Sequence, residues 1–222
     1  MSPTGTGETQ RTGFGRKPER GSHERHELDA VLDAGIVGHI AVVDDGQPYA
    51  MPVAYARDGD VVLIHGSTGS RLFRLLANGA PACFTVTLVD GLVLARSAFA
   101  SSMNYRSAMV LGTLHRLEGD AEREALTRLT AHLLPGRESE ARPASKREQA
   151  ATLTLALPLT EFSVKLRDGG PIDEQVDLDD PQTRAVWAGH VPIRATFGEP
   201  VPAPTNVPGT ATPDYVLAWL AD

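Results

Sequence analysis

The sequence holds one cysteine, few aromatic residues, no basic excess and no long apolar run. Cys83 stands alone among 222 residues, so no disulfide can form within the chain, and a reducing cytoplasm is the expected compartment. No apolar stretch reaches the ~18 residues of a spanning helix, so no membrane association is expected. The first 20 residues also lack the apolar segment of a secretory signal. Hydrophobic residues make up 41% and aromatics 5%, which excludes collagen-like, wholly disordered and coiled-coil chains.

The 21 Lys and Arg are outnumbered by 28 Asp and Glu, for a net charge of −7. Six of those acids fall within residues 168–182, and outside that strap 22 acids face 21 bases. Such a balance cannot supply the counterion release on which nucleic-acid binding depends, so no nucleic-acid partner is expected. The strap itself reads as a solvated loop that keeps the protein soluble. Seven histidines are scattered without HExxH or CxxC spacing, so no metal centre is expected. Walker, GxGxxG and GxSxG motifs are missing as well.

What is present reads as strands. Residues 1–20 mix Gly, Thr, Ser, Pro and charges and are expected to be a disordered leader, with residues 21–222 forming a single domain. A helix is predicted over residues 24–34, with Leu28, Val31 and Leu32 facing inward. β-rich runs follow at 38–43, 49–57, 61–65, 82–89, 92–96 and 108–116. Asp45-Gly46, Asp58-Gly59 and Asp90-Gly91 sit between such runs. Each is read as a hairpin, because a type I′ turn needs positive φ at both central positions. A second helix spans residues 119–134 and stops at Pro135-Gly136. Leu153, Leu155 and Leu157 alternate with smaller residues as a strand that 162–167 continues past Pro158. The C-terminal extension, about 168–222, is proline-rich and is expected to wrap the body. The whole predicts a mainly β fold with peripheral helices, an antiparallel closed or nearly closed barrel.

Two stretches carry chemistry. In 64–79 a strand ends at His65, the Gly66-Ser67-Thr68-Gly69 loop follows, and a helix begins near Ser70 and Arg71. Unpaired amides at a helix start, hydroxyls and a guanidinium suit a phosphate. The same residues also serve as plain helix caps beside a solvated arginine. In 98–107 a polar connection between strands places Asn104, Tyr105 and Arg106 in a row, a set that suits a planar heteroaromatic ring or simple exposure. Pro52, inside a β run, marks an edge or a docking position. Cys83 lies in an apolar strand and reads as packed.

The pattern of Arg20-Gly21, His39, Gln47-Pro48-Tyr49, Pro52, His65-Gly66-Ser67, Ser70-Arg71, the run 90–99, Ser102–Ser107, Pro135-Gly136-Arg137, Lys165, Arg167 and Trp187-Ala188-Gly189 resembles the pyridoxamine-phosphate-oxidase-like split barrels. Within them it is similar to the flavin-nucleotide-binding, nitroimidazole-resistance-protein-like branch. The resemblance implies a six-stranded split barrel that forms a homodimer with FMN in the groove between protomers. It assigns the ribityl phosphate to His65, Gly66, Ser67, Ser70 and Arg71, and the ring to Pro52 and Val53. Asn104, Tyr105 and Arg106 would contribute across the interface and Trp187 would cover the ring. Leu72 stands where relatives carry Lys, Ala100-Ser101 where the branch has paired histidines, and Glu138 where it has Trp.

The implied activity is an FMN-dependent oxidoreductase acting on a small electron-poor molecule such as a nitro compound, with no catalytic residue assigned. The flavin supplies the redox chemistry and the protein supplies orientation. A non-catalytic flavin carrier or sensor is the alternative. A third reading puts haem or a deazaflavin in place of FMN.

Overall fold

The computed structural model describes residues 7–221. The chain runs β1 (Gly21–Ser22), α1 (Arg25–Ala34), β2 (Val37–Asp44), β3 (Gln47–Asp58), β4 (Val61–Ser67), α2 (Arg71–Ala77), β5 (Pro81–Leu94), β6 (Ser102–Thr113), β7 (His115–Leu117) and α3 (Gly119–Leu133). It continues through α4 (Lys146–Ala150), β8 (Thr152–Pro158), β9 (Phe162–Arg167), α5 (Gln175–Asp179), α6 (Pro181–Arg184), β10 (Gly189–Pro192) and α7 (Asp214–Ala218).

Ten antiparallel strands form one sheet in the order β1-β9-β6-β5-β2-β3-β4-β8-β7, with β10 added to β5. Strands β8 and β9 lie near opposite ends of that path, yet only residues 159–161 join them. Three residues reach about 10 Å at full extension, so the sheet must curl until its ends meet. β8 and β9 then act as one bent stave, paired to β4 on one half and to β6 on the other. Together with β2 to β6 this makes the six staves of a split barrel, and β1, β7 and β10 are short additions at its edges.

The inner face is apolar by strict alternation. Ile40, Val42, Tyr55, Ile64, Phe84, Val110, Leu155 and Phe162 are all at most 3% exposed. Helix α1 closes one side with Leu28, Val31 and Leu32, and α2 adds Leu72, Phe73 and Leu76. The buried Tyr55 hydroxyl donates to the Leu32 carbonyl at 2.7 Å and its ring meets Phe84 edge to face at 5.1 Å. On the outer face α3 covers only one patch, where Ala125 and Leu129 pack on Ala56, Leu63 and Ala156.

The three Asp-Gly pairs behave differently. Asp45 (φ 50°) and Gly46 (φ 77°) are both left-handed and turn β2 into β3, whereas Asp58 stays in β3 and Gly59-Asp60, with Gly59 at φ 54°, turns it into β4. Asp90-Gly91 does not turn. It is a bulge inside one continuous β5, where the register with β6 shifts between Val89 and Gly91. The long-range contact decides this, since a Cβ on Gly91 would sit 2.9 Å from the Val191 carbonyl of β10. The segment expected as a polar loop, 98–107, is likewise mostly strand, because β6 begins at Ser102.

Of the expected leader, residues 1–6 lie outside the described residues. Residues 7–15 pack on the sheet: the Phe162 N–H donates to the Gly7 carbonyl at 3.0 Å and Thr12 is 2% exposed. Glu161 clasps this strap through Thr9 and Arg11, a partnership that composition alone could not disclose. The C-terminal extension hooks onto β5: Asp173 accepts from the Arg96 amide at 2.7 Å and pairs with its guanidinium. Its tail turns back on itself, with Trp219 against Phe197 and Tyr215.

Candidate functional site

Residues paired across an antiparallel sheet share a face, and neighbours in sequence alternate. Pro52 pairs with His39, and His39 with Thr85. Since Ile40 and Phe84 point into the barrel, these three lie on the outside. The β3–β4 pairing runs from Asp58 opposite Val61 to Tyr55 opposite Ile64 and stops there; beyond it His65 and Ser67 pair with Thr154 and Thr152 of β8. By alternation from Ile64, His65 and Ser67 also face outward, as Pro52 and His39 do. Beyond Tyr55, β3 has β2 on one side only, and that free edge tolerates a residue without an N–H. Val53, the neighbour of Pro52, turns inward and packs against the core. The His65 ring is open on one side, yet the strands around it desolvate it and lower its pKa. It is therefore neutral at pH 7.

The loop predicted to hold a phosphate is largely satisfied by its own turns. Ser70 accepts the Phe73 N–H as helix cap, Ser67 Oγ accepts from Gly69 at 3.1 Å, and the Ser67 carbonyl accepts from Ser70 at 2.9 Å. The Thr68 amide donates to the Ala151 carbonyl at 3.0 Å. Arg71 pairs with Asp44 at the end of β2. Gly66 packs against the Phe73 ring. The hydroxyls keep their own protons to donate, but the Thr68, Gly69 and Ser70 amides and the Arg71 guanidinium are engaged.

Asn104, Tyr105 and Arg106 sit elsewhere. Asn104 pairs with Gly91, six residues along β5 from Thr85, or roughly 20 Å at strand rise. Asn104 is 3% exposed; its amide donates to the Gly169 carbonyl at 3.0 Å and its oxygen accepts from Arg167. Arg106 donates twice to Asp90, at 3.0 and 2.7 Å. These two side chains brace the bulge and the start of the extension. Tyr105 is half-buried on the same ribbon. Trp187, 64% exposed, packs on Gly189 of β10. The structure thus puts Pro52, His65 and Ser67 on the outer face of the sheet, Asn104 and Arg106 at the Asp90-Gly91 bulge, and Trp187 against β10.

One set of polar residues escaped the sequence reading. Thr85, Thr87, Ser107, Ser163 and Lys165 line a groove of about 410 Å³ on the outer face of β5, β6 and β9, roofed by residues 11–15. The register joins them: Thr87 pairs with Ser107 and Ser107 with Lys165, while Thr85 and Ser163 flank Met109. The signal was the period of two in Phe84-Thr85-Val86-Thr87, which puts both threonines on the outer face beside residues 11–15. A neighbouring apolar groove of about 440 Å³ is lined by Ala41, Val43, Pro48, Cys83 and Leu111. Burial pushes the Cys83 thiol up. Among the described residues no group of three or more His, Cys, Asp or Glu converges as a metal site.

A six-stave split barrel, half covered outside and fully packed inside, defines the class. Residues 24–166 match the model of the pyridoxamine 5'-phosphate oxidase family, and the chain belongs to that family. Among solved structures it is similar to the FAD and haem binding protein from Mycobacterium smegmatis, at 42% identity and TM-score 0.85 over 90% of this chain and 97% of that one. It is also similar to the flavocytochrome Anf3 from Azotobacter vinelandii, at 35% identity and TM-score 0.87 over 95% and 96% of the two chains. A protein assigned to 5-nitroimidazole antibiotic resistance from Bacteroides thetaiotaomicron shares the fold at 19% identity and TM-score 0.54, over 64% of this chain and 83% of that one. No curated protein sequence matches the chain.

Proposed function

We propose that this protein binds a flavin nucleotide on the open outer face of the sheet and works as a flavin-dependent redox protein. The observation that carries the reading is the 42% identity, over nine-tenths of both chains, to a protein that binds FAD and haem. That relative moves the expected cofactor from FMN toward FAD. Pro52 offers a flat, donor-free surface with His39 paired opposite it, and His65 faces the same side of the sheet from β4. A bound flavin would supply one- and two-electron transfer there. The chain's own part is to hold the ring, exclude water from one side and present a neutral imidazole at His65. Reduction of a small electron-poor acceptor is the substrate class within this reading.

A second copy completes the site. The tip formed by β2 and β3 has no cover, with Val43 62%, Tyr49 38% and Met51 42% exposed, and a twofold partner would bury it. The lone cysteine supports a cytoplasmic setting, and among the described residues no helix is long and apolar enough to cross a membrane.

A second reading adds haem to the flavin. Both relatives named for flavin carry haem or are called a flavocytochrome, and His39 and His65 are imidazoles on one open face. Neutral imidazole is the form that ligates iron.

The test is the visible spectrum of the purified protein, with mass analysis of what denaturation releases. A flavin spectrum with an FAD mass supports the first reading, and an added Soret band that His39→Ala or His65→Ala abolishes supports the second. A colourless protein that takes up neither added FAD nor FMN overturns both.

A further inference from the structure

We propose that Phe99 of one copy seats on the outer face of a second copy beside Pro52 and covers the flavin ring held there. The inference rests on the flavin reading for the ring and adds the residue that the second copy contributes. Phe99 is 90% exposed at the tip of the β5–β6 connection, and that connection is held by its own hydrogen bonds. Ser97 Oγ accepts the Ala100 amide at 3.1 Å, while Ser101 Oγ accepts the Ala95 amide and donates to the Ser97 carbonyl, both at 3.0 Å. The tip thus displays a nearly bare aromatic on a loop with little order left to gain on docking. Arg96 gathers further apolar groups at the same end. It holds Asp173 and the Arg184 carbonyl, next to Ile172 at 75% and Trp187 at 64% exposure. Large aromatic and aliphatic groups clustered in water mark an interaction surface.

The receiving surface lies at the other end of the same sheet. The apolar groove lined by Ala41, Val43, Pro48, Cys83 and Leu111 continues into the Pro52–His39 pair, two residues along β2 from Ala41. His39 pairs with Thr85, nine residues from the end of β5 at Leu94, or roughly 30 Å at strand rise. Phe99 therefore cannot reach the groove of its own chain. A twofold axis through the middle of β5 reverses one sheet on the other, so each tip meets the other copy's groove and the contact is made twice. Phe99 and Trp187 bury about 150–250 Å² each. With both surfaces counted, the two contacts come to about 1,200–2,000 Å², the size of a specific interface.

Light scattering and riboflavin binding by the full chain test this. Wild type should scatter at the mass of two chains, and Phe99→Asp should shift it toward one chain at the same concentration. So exposed a residue leaves the fold of each chain intact when it is replaced. Riboflavin reads the ring alone, without the phosphates. Phe99→Ala should bind it about tenfold more weakly where the dimer persists, with Phe99→Tyr near wild type. Mixed dimers decide the geometry. Co-expressed Phe99→Ala and Pro52→Arg copies, purified through two tags, should hold one tight riboflavin per dimer, because one of the two sites then has both residues intact. No tight site in the mixed dimer, a monomeric wild type that binds riboflavin, or Phe99→Ala binding like wild type overturns the proposal and leaves the flavin reading standing. A dimer that takes up no riboflavin but that Phe99→Asp splits keeps Phe99 on the partner and sinks the flavin reading.

Discussion

The two faces of the sheet are built to different rules. Inside, the alternating residues are mostly apolar and form one core with α1 and α2. Outside, the same strands carry Pro52, His39, Thr85, Thr87, Ser107 and Lys165, and only α3 and the strap cover parts of them. One face specifies the barrel and the other is left polar, half open and small. A fold that completes its core on one side is free to vary the opposite side without unfolding, and ligand chemistry collects there.

That contrast can be broken most severely at Phe84. It is fully buried against Tyr55, so Phe84→Ala should cost about 3–5 kcal/mol of stability in denaturant unfolding. Next comes the hook of the extension. Asp173 is 6% exposed at its side chain and is held by Arg96, so Arg96→Met leaves it only the amide hydrogen bond and should make residues 168–193 more open to limited proteolysis. The Arg96 amide and guanidinium hold the Asp173 carboxylate below its usual range. Its stabilisation is therefore present above the ordinary carboxylate pKa and is lost only as the pH falls through the lower folded value. The wild-type hook should then resist protease at pH 5. Tyr55→Phe removes one buried hydrogen bond to Leu32 and should cost about 1 kcal/mol.

The smallest effect belongs to the outer face. His65→Ala should change stability by under about 0.5 kcal/mol at pH 8. It should also flatten a pH dependence. The folded pKa of His65 lies below the unfolded one, so the unfolded chain binds more protons just below pH ~6.5 and wild-type stability rises with pH through that window. A variant that keeps the same slope there would assign it to another group.

How much was legible follows the same division. Ile40, Ile64, Phe84 and Leu155 alternate with polar neighbours, so the barrel strands and their inward faces could be read directly. Asp45-Gly46 was readable as a turn because its demand for positive φ is local. Asp90-Gly91 carries the same two residues and became a bulge, because β10 approaches Gly91 and Arg106 reaches Asp90 from a different strand. The local bonding of the candidate site was hidden in the same way. Ser70 and Arg71 have the residue types of an anion loop, and only the fold shows that Phe73 and Asp44 engage them. Asn104 looked like a ligand group, while its partners Arg167 and Gly169 lie over 60 residues away in sequence. Thr85 and Thr87 read as outward-facing, and only the fold shows residues 11–15 beside them. Pairings between distant segments are what residue patterns leave out.

The chain has two tryptophans, Trp187 beside β10 and Trp219 stacked in the tail, and both belong to the extension. The barrel itself is free of indole. Tryptophan emission should therefore report docking and release of residues 168–221 alone, while the core melts unseen at that wavelength. Circular dichroism would follow the sheet. Two unfolding curves from one sample, one optical and one chiroptical, would separate the hook from the barrel without any label.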